Sequence, residues 1–179
     1  MADDNKIIEL LIKQDEFAVD ELVKKYGTRL LRSAYLLCGN HADSEEIVQD
    51  TFITAINIIK KFHGKSALYT WLHGILINKT RHLLRKRKSY IAMEEIPEPV
   101  CSSDHIKSLD LKFAHQTLLK TINNLSFCYR EVVILRYFEE FKISEIAEAL
   151  KISKGTVKSR LHYALKLLRK TVSNELRTL

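Results

Sequence analysis

At 179 residues the chain suits one ordinary domain or two small ones. Its 29 Lys and Arg against 22 Asp and Glu leave a formal charge of +7, which favours an anionic partner such as nucleic acid or a membrane surface. Cys38, Cys101, Cys128 and seven scattered His show no metal-ligand spacing, no apolar run approaches the about eighteen residues of a membrane span, and Met1 to Asn5 lack a signal-peptide core.

Reduced thiols, no metal, no cofactor and a cytoplasmic location are the expectation. Five Gly, two Pro and the lack of sustained period-two alternation predict an all-helical fold without internal repeats. Residues 6 to 37 predict two amphipathic helices, with Ile7, Ile8, Leu10 and Leu11 in the first core stripe. Phe17, Leu22, Tyr26, Leu30, Leu31 and Leu37 form the second. A third helix opens at Asp43-Ser44-Glu45-Glu46, where Asp43 suits the cap and Glu46 stands three residues on, close to a capping box. Ile47, Val48, Thr51, Phe52, Ala55 and Ile59 then face inward. Glu46, Gln49, Asp50, Ile53 and Asn57 are left on an acidic stripe, either a solvated face or a docking surface for a basic partner.

Lys61-Phe62-His63-Gly64-Lys65-Ser66 reads as a loop before a helix marked by Leu68, Trp71, Leu72, Ile75 and Leu76. Lys79 to Lys88 hold six Lys or Arg in ten positions, among them Arg81, Arg85 and Lys86, with His82 between. Cations beside aromatic rings suit unpaired bases, at about 1 to 3 kcal/mol per stacked base. Trp71 equally suits a core aromatic. From Ser89 to Asp110 both prolines, Pro97 and Pro99, and five acids against one Lys read as an extended acidic linker. Helical pattern resumes at Leu111 through Leu118, Leu119 and Ile122. Ser126 opens another helix carrying Val132, Val133, Leu135, Tyr137 and Phe138.

Around Glu145 to Leu150, Ile146, Ala147 and Leu150 share a face; after a Lys151-Ile152 turn capped by Ser153, Val157, Leu161, Ala164, Leu165 and Leu168 share another. The pair reads as a helix-turn-helix. Its second helix exposes Lys154, Thr156, Lys158, Ser159, Arg160, His162, Tyr163 and Lys166, with no acid from Lys151 to Ser173. Thr156, Lys158, Ser159 and Arg160 are base-edge candidates, and Lys154 and Lys166 phosphate candidates. A solvated basic face on a core helix is the plainer reading. No nucleophile, base and orienting group cluster, and no Gly-rich phosphate loop or paired-carboxylate site appears, so neither covalent chemistry nor a small-molecule substrate is expected.

Asp43-Ser44-Glu45-Glu46-Ile47-Val48-Gln49-Asp50-Thr51-Phe52, then Thr70-Trp71-Leu72 with Ile75 and Asn78, the basic run, the acidic linker, Glu145-Ile146-Ala147 and Gly155-Thr156-Val157-Lys158-Ser159-Arg160-Leu161 together resemble the extracytoplasmic-function sigma factors of bacterial RNA polymerase. The order and spacing carry the resemblance, over about residues 10 to 172. It implies a polymerase-docking and minus-ten domain at residues 6–88, a linker at 89–110 and a minus-thirty-five domain at 111–175. Asp43, Glu46, Gln49, Asp50 and Ile53 become contacts to the clamp helices of the largest polymerase subunit. The loop Lys61 to Ser66, with Trp71, Asn78, Arg81, Arg85 and Lys86, would hold the opened non-template strand with a base flipped out. The carboxy-terminal helix-turn-helix would read duplex DNA in the major groove, and the linker would run towards the RNA exit. An anti-sigma partner, often membrane-bound in this family, is implied as well.

Five positions depart from the family pattern. Lys142 stands where a capping Ser or Thr is usual, predicting a loss of about 1 kcal/mol or a later start at Ser144. Lys151 takes a place often held by Gly, where a left-handed conformation costs about 1 to 2 kcal/mol. Tyr163 and Leu165 replace Arg, and His82 replaces Asp. Two other classes stay open on the residues alone. One is a self-contained helix-turn-helix activator or repressor, which leaves the acidic stripe and the Trp71 module unexplained. The other is a helical interaction or membrane-surface protein using Lys79 to Lys88, which leaves the reading helix unexplained.

Overall fold

The computed structural model describes residues 2–93 and 119–175, with side chains over 4–87 and 119–170, and every regular element among them is helical. A first lobe contains α1 (Ala2–Ile12), α2 (Glu16–Cys38), α3 (His41–Ile58), a 3-10 turn at Ile59–Lys61, and α4 (Leu68–Met93). A second contains a helical stretch at 119–123, α5 (Phe127–Val133), a π turn at Ile134–Phe138, α6 (Ile143–Leu150) and α7 (Lys154–Glu175). Because α4 continues to Met93, the first five positions read as linker are helical; the remainder of that stretch, with Leu111 and Leu118, lies outside the described residues.

Helix boundaries have local causes. Asp15 caps α2 by accepting from the Phe17 N–H at 2.9 Å, and Gly39 ends it in the left-handed region at φ 74°. Asn40 is then the first extended residue, and its side chain accepts from the Asp43 N–H at 3.0 Å. The cap of α3 is therefore Asn40 and not Asp43, three residues earlier than the acid pattern suggested. Along α2 the inward stripe runs through Ala18, Leu22, Tyr26 and Leu30 at four-residue steps, all buried. Phe17 sits one position off that stripe and is 79% exposed, so its assignment to the core is corrected. The inward residues of α3 are buried as expected, Ile47, Val48, Thr51, Phe52 and Ala55, with Ile59 just beyond. Each fully buried aliphatic chain contributes about 1.5 to 3 kcal/mol.

In the second lobe α6 begins at Ile143, one residue before Ser144. The Lys142 side chain cannot accept a hydrogen bond, but Glu145 reaches back to accept from the Lys142 N–H at 2.7 Å, so the start is not left bare. Lys151 takes the left-handed conformation at φ 54°, and Ile152 N–H returns to the Ala147 carbonyl at 3.0 Å. Ser153 caps α7 by accepting from the Thr156 N–H at 3.0 Å. Val157, Leu161 and Ala164 are buried beneath it. Tyr137, expected among the supporting residues, is 53% exposed. The π turn is the reason: its wider spacing rotates the chain after Leu135 and brings Glu139 inward instead.

The lobes pack on each other. Gly74 of α4 lies against α6 so closely that an added Cβ would stand 3.0 Å from the Ala149 carbonyl oxygen. Arg130 of α5 donates to the Leu37 carbonyl at the end of α2, at 2.7 Å, where a cation suits the helix dipole. Glu139 and Phe141 enter the first lobe together, because Glu140 between them turns the chain at φ 58°.

Candidate functional site

Along α3 the residues Glu46, Gln49, Asp50, Ile53 and Asn57 form one exposed face. Ile53, 58% exposed among acids, is a side chain that folding leaves unused. Asp43 does not stand on this open face. It is buried beneath Arg87 of α4, with both carboxylate oxygens 2.7 Å from the guanidinium. Asp50 keeps about half its side-chain surface and meets Lys79 at 3.3 Å.

The loop after α3 is built on a ring pair. Phe62 and Trp71, both half-buried, pack with centroids 5.2 Å apart and planes at 53°. Above them Lys61, His63 and Lys65 are exposed, Ser66 is half-buried, and Gly64 turns at φ 65° with nothing within 4 Å of where a Cβ would lie. Trp71 is thus neither a sealed core residue nor a free platform. Farther along α4, Asn78 is exposed and accepts from Arg81 at 3.2 Å, and His82, Arg85 and Lys86 are exposed. A groove of about 1010 Å³ runs between the lobes, with Glu46 and Asp50 of α3, Trp71 and Lys86 of α4, Glu148 of α6 and Lys151 just after it on its walls. Two sets of candidates that the sequence kept apart, the acidic stripe and the Trp71 module, therefore share one cleft.

On α7, Lys154, Lys158, Ser159, His162, Tyr163 and Lys166 are exposed. The other two base-edge candidates are half-buried and engaged. Thr156 is bound to its cap, with 2.8 Å between its hydroxyl and that of Ser153. Arg160 donates to Glu131 at 2.9 Å, and the other oxygen of that buried carboxylate accepts from Arg81 of α4 at 2.8 Å. One acid of the second lobe thus ties a cation from each candidate DNA surface.

Sequence reasoning missed Glu139. Its side chain has no exposed surface, although it follows the exposed helix end and precedes another acid. Ser33 Oγ donates to it at 2.6 Å and Tyr69 Oη at 2.5 Å, while Arg29 and Arg32 lie at 3.4 and 3.2 Å. Burial alone would raise its carboxyl, but the donors on Ser33 and Tyr69 and the surrounding positive charge outweigh that and hold it below the ordinary glutamate range. Burial and the bond to Glu139 push the Tyr69 hydroxyl up. Beside them His73 is enclosed, with Nε2 3.3 Å from Ser33 Oγ and its ring edge-on to Tyr69 and Phe141; burial pushes it down to about 4.

Two helical lobes carrying an acidic ridge and a helix-turn-helix define a class, and comparison with known proteins gives the same one. The chain matches the Sigma-70 region 2 family over residues 22–90 and the Sigma-70, region 4 family over residues 115–168. It is similar to the ECF RNA polymerase sigma factor SigW of Bacillus subtilis, 32% identical over 92% of this chain and 94% of that one. RNA polymerase sigma factor SigV of the same organism is also 32% identical, over 80% and 84%. The co-crystal structure of the sigma factor RpoE in complex with the anti-sigma factor NepR from Bartonella quintana matches with a TM-score of 0.71 and 28% identity, covering 86% of this chain and 96% of that one. The chain belongs to the extracytoplasmic-function sigma factors of the sigma-70 family. It is an alternative sigma factor for promoter-specific transcription. None of the described helices is long and apolar enough to cross a membrane.

Proposed function

We propose that the exposed face of α3, through Glu46, Gln49, Asp50 and Ile53, docks on the clamp helices of core polymerase. The loop Lys61 to Ser66 then captures a flipped base of the non-template strand, with Asn78, Arg85 and Lys86 following the phosphates, and α7 reads the upstream element in the major groove. The observation that carries this reading is the segregation of charge. Acids line the open side of α3, whereas the outer faces of α4 and α7 carry cations. Opening duplex DNA costs a few kcal/mol per unstacked step, which a stacked base and several phosphate contacts offset. Arg81 joins the strand-capture set only when it leaves Glu131. Asp43, tied under Arg87, supports the ridge from beneath and does not lie at its crest. The anti-sigma factor on RpoE supports an anti-sigma partner for this chain too, membrane-bound as is frequent in the family.

The test is reconstituted transcription with purified bacterial core polymerase and a promoter carrying both elements. The chain is expected to direct specific initiation, and Glu46→Lys with Asp50→Lys to weaken polymerase binding while the helix-turn-helix retains its affinity for duplex DNA. Tight operator binding by a free dimer, with no initiation, would replace this reading with that of a self-contained repressor.

A further inference from the structure

Among the described residues, the side chains that receive Glu139 all belong to the first lobe, and they form an oxyanion socket. Ser33 and Arg32 of α2 donate to one carboxylate oxygen at 2.6 and 3.2 Å, and Tyr69 of α4 and Arg29 of α2 to the other at 2.5 and 3.4 Å. Each oxygen thus meets one hydroxyl and one guanidinium. These donors are also held from within the first lobe. Tyr26 stacks on Tyr69 with ring centroids 5.2 Å apart, and the Arg29 guanidinium lies 4.0 Å from the centre of the same Tyr69 ring. His73 joins the two hydroxyl donors, with Nε2 3.3 Å from Ser33 Oγ and Nδ1 3.1 Å from the Tyr69 carbonyl. Donors ordered in advance take up an anion without the entropic cost of gathering them.

Glu139 cannot fill this socket while α7 lies on an upstream element and the loop Lys61 to Ser66 holds an opened strand, because elements centred near positions ten and thirty-five are about 80 Å apart along B-form DNA. Two hydroxyls and two cations then lack the acceptor around which they are arranged. A phosphodiester supplies it, since like a carboxylate it carries one negative charge over two equivalent oxygens. The place favours a nucleic-acid phosphate over an acidic side chain of a protein partner. Tyr69 is the second residue of α4, directly after the basic capture loop, and Arg29 and Arg32 keep about half their side-chain surface even with Glu139 seated, within reach of a backbone crossing the outside of the lobe.

We propose that the socket of Ser33, Tyr69, Arg29 and Arg32 is a phosphate site for the opened non-template strand, and that Glu139 occupies it as a stand-in for one backbone phosphate. The identity of the strand rests on the function proposed above; the fit of the socket to a two-oxygen anion does not.

The test uses the full chain bound to core polymerase and a non-template oligonucleotide spanning the minus-ten element, with one phosphodiester at a time replaced by an uncharged methylphosphonate. With the wild type, the replacement at one position beside the flipped base should weaken binding about tenfold. Tyr69→Phe and Ser33→Ala each remove one hydroxyl and leave the cations in place. With either variant that same replacement should cost less than about threefold, while the penalties at other positions stay as in the wild type. Each penalty is a ratio measured within one protein, so a uniform effect of the variant on folding or on polymerase affinity cancels. Identical penalty profiles for the wild type and both variants overturn the site. Identical profiles together with weaker binding of Tyr69→Phe to core polymerase without DNA would give the socket to an acidic side chain of the partner, and overturn it equally. If the complex binds no strand at all, the strand-capture reading fails and the site with it, whereas strand binding with unchanged profiles removes the site and leaves that reading standing.

Discussion

Arg81 of α4 and Arg160 of α7 converge on the two oxygens of Glu131, at 2.8 and 2.9 Å, although one belongs to each lobe. Arg160 therefore has a folding role that Lys158, exposed two residues earlier on α7, does not share. Replacing Arg160 by Ala leaves the buried carboxylate with one partner, and we expect a loss of about 2 kcal/mol in urea unfolding. Lys158→Ala should stay within about 0.5 kcal/mol of the wild type while lowering promoter affinity of the polymerase complex. Equal stabilities for the two variants would show that the Glu131 pair adds nothing to the fold.

Acid should loosen the chain through His73. Its ring is held neutral by burial, with a folded value of about 4 against an ordinary 6.5. A depressed value means that the unfolded chain binds the proton more readily, so this contribution is complete above pH 6.5 and is lost as pH falls towards 4. The loss amounts to about 3 kcal/mol at most. Glu139, also lowered, acts in the same direction but below the ordinary glutamate range. Urea midpoints at pH 7, 5.5 and 4 should fall in the wild type and fall less in His73→Gln. Parallel curves for the two chains would remove His73 as the cause.

Lys151 and Glu140 occupy left-handed backbone, at φ 54° and 58°, without being glycine. Replacing either by Gly relieves steric cost but frees the unfolded chain, for a net gain of about 1 kcal/mol. The two sites are on different segments, so the gains should add in a double variant. Thermal unfolding checks this: Lys151→Gly should raise the midpoint and Lys151→Val lower it.

The inward stripe of α3 and the buried stripe of the helix-turn-helix were legible because a helical period of 3.6 governs them, whereas on the outer face Thr156 and Arg160 are held by Ser153 and Glu131. Where a boundary or a rotation was set by a neighbour, the pattern misled. Asp43 satisfied the capping rule on paper, yet Gly39 had already handed that place to Asn40. Tyr137 matched the apolar spacing, but a π turn is invisible to a constant period. Glu139 carried no signal at all, since an acid beside another acid reads as solvated. Its enclosure depends on Ser33 and Tyr69, 106 and 70 positions away in the chain.

The π turn at Ile134–Phe138 closes with the Glu139 N–H on the Ile134 carbonyl, at 3.1 Å. Deleting one residue there would restore ordinary helical register and swing the next side chain through about 100°. Glu139 would then point away from Ser33 and Tyr69, with helix order unaltered. A single lost codon in this stretch would thus do what no conservative substitution does, and two descendants nearly identical in sequence would differ in whether their halves stay joined.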